Sequence, residues 1–347
     1  MRKVLHIDCD CFFAAVEMRE NPQLCHVPIA IGGHSDRRGV ISTCNYPARK
    51  WGVHSAMATA QALKKCPDLI LLPSNMALYR EVSRQVMAVI RRHGIAFEQV
   101  SVDEAYVELE PNESAIEVGE KIRAEVEAKV GITVSVGAAP NKFLAKVASD
   151  WNKPNGLFAV KPHQVDAFVA QLEVRKIPGI GPKTAERLAA KGILLCLDAQ
   201  QYSLIELVNL FGRTGVSLFK RCRGQDDTAL STDRIRKSIS VEHTFSKDLY
   251  LAQELDEEVS ALWDKFLQRT DKANIDSRSL APFVKVKFND FSQTTLADQL
   301  LAPSLESFRQ LLQQARLRND EREIQGVRLI GIGGRCPDIN EQQLALF

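Results

Sequence analysis

The stretch that most constrains this chain is Ser101-Val102-Asp103-Glu104-Ala105-Tyr106-Val107-Glu108, where two adjacent carboxylates sit between the apolar runs Phe97 to Val102 and Ala105 to Leu109. In a regular strand neighbouring side chains point to opposite faces, so Asp103 and Glu104 would have no common partner. At a hairpin tip the turn relaxes that rule, and both can reach one cation. A second acidic segment, Leu5-His6-Ile7-Asp8-Cys9-Asp10, offers a third carboxylate. Its period-2 pattern puts Val4, His6 and Asp8 on one face and Leu5, Ile7 and Cys9 on the other. If the two strands pair, three carboxylates meet at a sheet edge. Oxygen-only ligation of this kind suits Mg²⁺, which keeps waters and takes substrate phosphates. Two such ions serve phosphoryl transfer. For Asp103-Glu104 alone, the competing reading is a solvated acidic turn.

With 347 residues the chain exceeds one small core, and about two to four domains are expected. Its 45% hydrophobic and 25% charged residues are an ordinary soluble balance. A net charge of only +2 means that any nucleic-acid affinity must reside in local patches. No apolar run is long enough to span a bilayer, and Met1-Arg2-Lys3-Val4-Leu5 enters a strand without the pattern of a signal peptide. A cytoplasmic protein with no membrane partner is expected. The eight cysteines are scattered and form no C-x-x-C, which favours reduced thiols over disulfides or zinc.

Cys11 to Arg19 reads as a helix stopped by Asn21-Pro22, with Asp10 as its N-cap or as a further metal ligand. Phe12 and Phe13 then face about 100° apart, one toward the core and one toward Asp8. The segment Val40-Ile41-Ser42-Thr43-Cys44-Asn45-Tyr46-Pro47-Ala48-Arg49-Lys50 gathers hydroxyls, a phenol and two cations. Such groups bind a polyphosphate, or they are an exposed basic helix start. Leu78, Val82, Val86, Val89 and Ile90 follow helical spacing, with Gly94 as the expected C-cap. Ser114-x-x-Glu117 is a capping box opening a helix whose apolar face includes Ile116, Ile122, Val126 and Val130 and which ends at Gly131. Ile132, Val134 and Val136 alternate as a strand, and Asn141 to Trp151 forms a helix. Elements mix without strict β-α alternation. The expectation is an α+β sheet with helices on one face, leaving the carboxylate face free.

At Ile177-Pro178-Gly179-Ile180-Gly181-Pro182-Lys183-Thr184-Ala185-Glu186-Arg187-Leu188 the character changes to a helix-hairpin-helix pattern. Its glycines turn the chain tightly and free backbone N–H groups at a helix start for a DNA phosphate, which makes Gly179, Gly181, Lys183 and Thr184 candidate DNA contacts. A plain helical hairpin with glycine turns is the competing reading. Leu210-Phe211-Gly212-Arg213-Thr214-Gly215 is a weaker second copy. Thr228 to Ser240 reads as a basic linker. Beyond it, a βαββαβ order is ferredoxin-like. There Lys285 and Lys287 share one strand face, which either tracks a phosphate backbone or is simply solvated. The tail Glu341-Gln342-Gln343-Leu344-Ala345-Leu346-Phe347 is a short apolar peptide that suggests a partner groove.

Four segments carry a resemblance: Asp8-Cys9-Asp10-Cys11-Phe12-Phe13-Ala14, Asn45-Tyr46-Pro47-Ala48-Arg49-Lys50, Ser101-Val102-Asp103-Glu104-Ala105-Tyr106 and Lys153-Pro154-Asn155-Gly156. In order and spacing they resemble the motifs of the Y-family translesion DNA polymerases, and the likeness to the bacterial branch runs along essentially the whole chain. It implies a multidomain right-hand polymerase: palm at 1–10 and 74–165, fingers at 11–73, thumb with the helix-hairpin-helix at 166–230, basic linker at 231–240, βαββαβ little finger at 241–335 and tail at 336–347. It implies two Mg²⁺ ions held by Asp8, Asp103, Glu104 and the Cys9 carbonyl, with Glu104 also orienting the primer 3′-hydroxyl. Phe13 is expected to be the steric gate against a ribose 2′-hydroxyl, with Phe12 beside it. Thr43, Tyr46, Arg49 and Lys153 would grip the dNTP triphosphate, and Ser42 would lie over the nascent pair. Gln343, Leu344, Leu346 and Phe347 resemble the peptide that docks on the bacterial β sliding clamp. The expected partners are primer–template DNA, dNTPs and that clamp, for a monomeric enzyme of low fidelity without a proofreading exonuclease. Cys9 departs from the larger aliphatic residue usual in the family. Two rival readings are a nucleotide cyclase, which has no use for the helix-hairpin-helix or a lysine-faced extra domain, and a non-catalytic DNA-binding scaffold.

Overall fold

The computed structural model describes residues 2–232, 235–318 and 325–337, so the tail residues Gln343, Leu344, Leu346 and Phe347 lie outside the described residues. In chain order the strands are β1 (Val4–Cys9), β2 (Ile29–Gly32), β3 (Ile41–Cys44), β4 (Ile70–Leu72), β5 (Ala96–Gln99), β6 (Glu104–Glu108), β7 (Val134–Ala139), β8 (Leu157–Ala159), β9 (Ser238–Leu249), β10 (Ala281–Phe288), β11 (Gln293–Ala297) and β12 (Val327–Arg335). By its internal contacts the chain divides into two units. The first holds Met1–Gly32, Val40–Met57 and Gln61–Asp233; the second holds Gly33–Gly39, Ala58–Ala60 and Arg234–Phe347.

In the first unit a five-stranded sheet runs in the order β5-β6-β1-β7-β8. The apolar alternation of β1 explains its central place: Leu5, Ile7 and Cys9 are buried in a core shared with the helices Met76–Arg91 and Ala115–Val130. Burying each Leu or Ile of that core stabilises the fold by about 1.5–3 kcal/mol. The opposite face is not free, as the sequence suggested. The helix Lys142–Ser149 packs there in a second core with Val4, Tyr106 and Ala139, because its own face of Phe143, Leu144, Val147 and Ala148 needs cover. A smaller sheet, β3-β2-β4, carries a core of its own around Ala30, Ile41, Cys44 and Ala48.

Several local expectations change. The helix after β1 spans Phe12–Glu20 with Cys11 at its N-cap, so Asp10 is not the cap. The helix Met76–Arg91 ends at Arg92 rather than Gly94. Gly94 instead sits where a Cβ would meet the Val107 side chain and, at 2.6 Å, the Glu108 carbonyl oxygen. Ser114 does cap the helix Ala115–Val130, but Ile116 is exposed and the buried face is Val118, Ile122, Val126 and Val130. Gly131 closes that helix at φ 75°. In the helix-hairpin-helix segment, Gly179 has φ 91°, a left-handed turn that glycine adopts without strain, and Gly181 precedes the helix Pro182–Ala189.

The second unit follows the order strand, helix, strand, strand, helix, strand. Its sheet runs β11-β10-β12-β9 with every pair antiparallel, and the helices Ala252–Lys272 and Leu305–Leu317 cover one face. Strand β9 begins at Ser238, inside the stretch read as linker.

Candidate active site

The β1–β6 register sets Asp8 directly opposite Glu104 and His6 opposite Tyr106. Like charges opposed across a ladder repel, so this edge requires cations. Two lysines supply them. Lys153 Nζ lies 2.8 Å from Asp8 Oδ1 and 2.8 Å from Asp150 Oδ1. Lys146, from the covering helix, forms an ion pair with Glu104. Burial opposes the charge on Lys153, but Asp8 and Asp150 outweigh it and raise its pKa. Burial raises the Asp8 carboxyl above the usual range against the pull of Lys153.

Beneath Glu104 lies a residue that the sequence reading placed on this face but gave no role. His6 is fully buried, its ring packed at a tilt of 57° against Tyr106 with centroids 4.6 Å apart. Its Nδ1 is 2.8 Å from Ser149 Oγ and its Nε2 is 3.3 Å from Glu104 Oε2. That second contact is short but not aligned as a regular hydrogen bond. Burial lowers the His6 pKa and keeps the ring neutral. The His6 ring, with Lys146, holds the Glu104 carboxyl down at about 2 despite burial. Only the period-2 pattern signalled His6; Ser149 and Lys146 had no sequence signal, because their helix was expected on the other face of the sheet.

Asp103 occupies the turn between β5 and β6. Its carbonyl accepts from the Cys9 N–H at 2.9 Å, and its carboxylate accepts from Ser101 Oγ. The close group at this edge is therefore His6, Asp8 and Glu104, whose ligand atoms lie within 4.8 Å of one another. Asp103 stands outside it, facing the neighbouring cleft. Asp10 is also not free for a metal. It is buried, and it accepts from Thr133 Oγ1, Ser135 Oγ and the Asn155 N–H, each at 2.8 Å. Its role is to tie β1 to β7 and to the loop before β8.

An open cleft of about 200 Å³ lies beside these carboxylates. It brings together Asp8, Cys9, Phe12, Phe13, Ser42, Thr43, Tyr46, Arg49, Asp103 and Lys153, all of them expected from the sequence. Cys11 and Ser55 also line it and were not expected. Phe12 is buried while Phe13 stacks on Tyr79 at 4.3 Å and 13°, so its ring is fixed at the cleft wall. Tyr79 is itself locked by a 2.6 Å hydrogen bond from its hydroxyl to Glu17. Arg49 lies over the Tyr46 ring at 4.9 Å and donates to the Cys44 carbonyl at 3.2 Å, which leaves most of its guanidinium donors for a ligand.

The donor set fits a hard divalent cation. Asp8 and Glu104 supply carboxylate oxygens beside the His6 ring, Asp103 adds another from the cleft, and two lysine ammonium groups already pair with Asp8 and Glu104. The cationic and hydroxyl wall opposite suits a polyphosphate. The remaining candidates stand elsewhere. Lys183 is exposed on the helix Pro182–Ala189 and Thr184 is half-buried there. Lys285 forms a 2.9 Å ion pair with Glu242, and Lys287 lies over the Phe291 ring.

The comparisons with known proteins bear on this geometry. Residues 7–150 match the model of the impB/mucB/samB family, residues 175–226 that of the DNA polymerase-iota thumb domain, and residues 236–345 that of the impB/mucB/samB family C-terminal domain. The chain is 46% identical over its whole length to 99% of the DNA polymerase IV of Ectopseudomonas mendocina. It is 46% identical to that of Shewanella pealeana, covering 96% of this chain and 93% of the relative. Among solved structures, a Y-family DNA polymerase chimera of Dbh and Dpo4 matches with TM-score 0.86 and 28% identity, over 96% of this chain and 98% of that one. An insertion ternary complex of Dbh DNA polymerase matches with TM-score 0.67 and 28% identity, over 97% and 100%.

Proposed function

The chain belongs to the Y-family DNA polymerases, the impB/mucB/samB family, and from that premise we propose that it extends primers across damaged templates with low fidelity. It is a DNA-directed DNA polymerase. The observation that carries the mechanism is one cleft with carboxylates at one end and Thr43, Tyr46, Arg49 and Lys153 along its wall.

Asp8, Asp103, Glu104 and the Cys9 carbonyl would hold two Mg²⁺ ions. Bound there, these ions supply Lewis acidity to the primer 3′-oxygen and to the leaving pyrophosphate. The chain's own groups do the rest. Arg49 and Lys153 bind the triphosphate by charge-assisted hydrogen bonds, helped by the Thr43 hydroxyl and the Tyr46 phenol. Ser42 lies over the nascent base pair. Phe13, backed by Tyr79, excludes a 2′-hydroxyl, so the enzyme takes dNTPs and rejects ribonucleotides. Glu104 orients the primer hydroxyl and is kept ionised by His6 and Lys146.

In domain terms, 1–10 and 74–165 act as palm, 11–73 as fingers, 166–230 as thumb and 241–335 as little finger. Gly179, Gly181, Lys183, Thr184, Lys285 and Lys287 contact the DNA backbone. Fingers of about sixty residues check the nascent pair weakly, and no proofreading activity accompanies them. Residues Gln343, Leu344, Leu346 and Phe347 dock a monomeric enzyme on the β sliding clamp, in the cytoplasm where replication takes place. Among the described residues no helix is long and apolar enough to cross a membrane.

Extension of a primer through a template carrying a bulky base adduct tests this reading. Full-length product is expected. A stop one nucleotide before the adduct, with normal extension on undamaged template, would overturn the translesion reading.

A further inference from the structure

The connection between β10 and β11 carries a phenylalanine outside the core of the fold. Phe291 is 60% exposed, although its neighbour Phe288 is fully buried in the core. Its backbone has φ 66°, a left-handed conformation that costs a bulky side chain more than it would cost glycine. The tip is held there by hydrogen bonds from the Phe291 N–H to the Phe288 carbonyl at 3.0 Å and from the Asn289 N–H to the Gly326 carbonyl at 2.9 Å. A residue that is both exposed and locally unfavourable points to a task outside the fold.

Two cations meet at this ring. Lys287 Nζ lies 4.8 Å from its centroid and the Arg328 guanidinium carbon 4.6 Å. They come from different strands, β10 and β12, whose register shifts at Lys287/Phe288. Lys287 lies on the face of β10 opposite Val284, Val286 and Phe288, away from the helices. Lys285, two residues earlier, is already paired with Glu242 at 2.9 Å. Among the described residues no such carboxylate pairs with Lys287 or Arg328; the aromatic ring is what they rest on.

We propose that Phe291 is a positioning residue that gathers Lys287 and Arg328 at one ring as a phosphate-binding pair for a DNA strand crossing the open face of this sheet. Two cations gathered at one ring repel each other, and a polyanion laid against them offsets that repulsion. A nucleic-acid backbone, with a charge on every nucleotide, is the ligand that matches. This inference rests on the DNA-polymerase reading and adds to it a residue whose contribution is made through the two cations.

The test measures binding of the full-length protein to a fluorescently labelled primer–template as a function of KCl concentration, with melting temperatures recorded beside it. Phe291→Gly and Phe291→Leu are expected to weaken binding about three- to tenfold. Both should reduce the slope of log affinity against log salt by about one. Phe291→Trp, which keeps an aromatic face, should restore both. Phe291→Gly should melt no lower than wild type, because glycine accepts the left-handed backbone. If it does melt lower, the contrast between the Leu and Trp variants decides in the same way. Wild-type affinity and salt slope in the Gly and Leu variants would overturn the proposal, and would fit a ring that receives a protein partner. Failure of wild type itself to bind DNA would remove the polymerase reading and this inference with it.

Discussion

The Glu104 carboxyl is held ionised by residues beneath it that do not line the cleft. His6 and Lys146 keep its carboxyl at about 2, well below the ordinary range near 4.5. A carboxyl with a lowered folded pKa stabilises the fold fully above its unfolded value and loses that contribution as pH falls toward 2. The lowered pKa of His6 acts with the same sign from the ordinary histidine value of 6.5 downward. Asp8, raised by burial, acts with the opposite sign but only in the carboxylate range. Between about pH 7 and 5.5 the His6 effect therefore stands alone among these three. Wild type should melt at progressively lower temperature over that range, and His6→Phe, which keeps the packing on Tyr106, should show a flatter profile. Equal slopes in calorimetry would contradict this. Lys153→Ala should raise the KM for dNTP by about tenfold or more, since a charge-assisted hydrogen bond contributes about 1.5–3 kcal/mol. An unchanged KM in steady-state kinetics would remove Lys153 from the triphosphate site. Phe13→Val should admit ribonucleotides, read as the ratio of ribo- to deoxynucleotide incorporation. At this scale the alternation Val4, His6, Asp8 already placed the acidic face. The role of Asp10 was not legible, because its partners Thr133, Ser135 and Asn155 are more than 120 residues away along the chain.

Among elements, the strands were the most legible and the covering helix the least. Period-2 apolar runs pointed to β1, β6 and β7, while the register that opposes Asp8 to Glu104 is set by the pairing itself. The helix Lys142–Ser149 was visible as a helix, but nothing local shows which face of a sheet a helix will cover. That choice is made by packing: its apolar side fills the space over Val4 and Tyr106, and Lys146 and Ser149 arrive at the site as a consequence. Gly94 gives a comparable lesson. It looked like a helix cap, yet its lack of a side chain is needed for close passage over Val107 and Glu108. Gly94→Ala should cost about 1–3 kcal/mol in chemical unfolding, the usual range for forcing atoms into a packed site. The variant should retain its kcat, because the collision lies at the far end of β6 from Glu104. Wild-type stability would show that the strand can move aside.

For the molecule as a whole, family membership rests on similarity along the full chain, while the division of labour between its parts is a proposal. The tail peptide is the part whose role is easiest to separate from catalysis. Deleting Gln343 to Phe347 should leave synthesis by the free enzyme intact and abolish stimulation by the sliding clamp; full stimulation of the truncated protein would contradict the docking role. The central claim is that Asp8, Asp103 and Glu104 form the catalytic centre of a template-directed polymerase. Primer extension with Mg²⁺ and all four dNTPs, comparing wild type with Asp103→Ala, tests it most directly. Template-dependent extension by wild type alone is the predicted result, and equal extension by both proteins would contradict it.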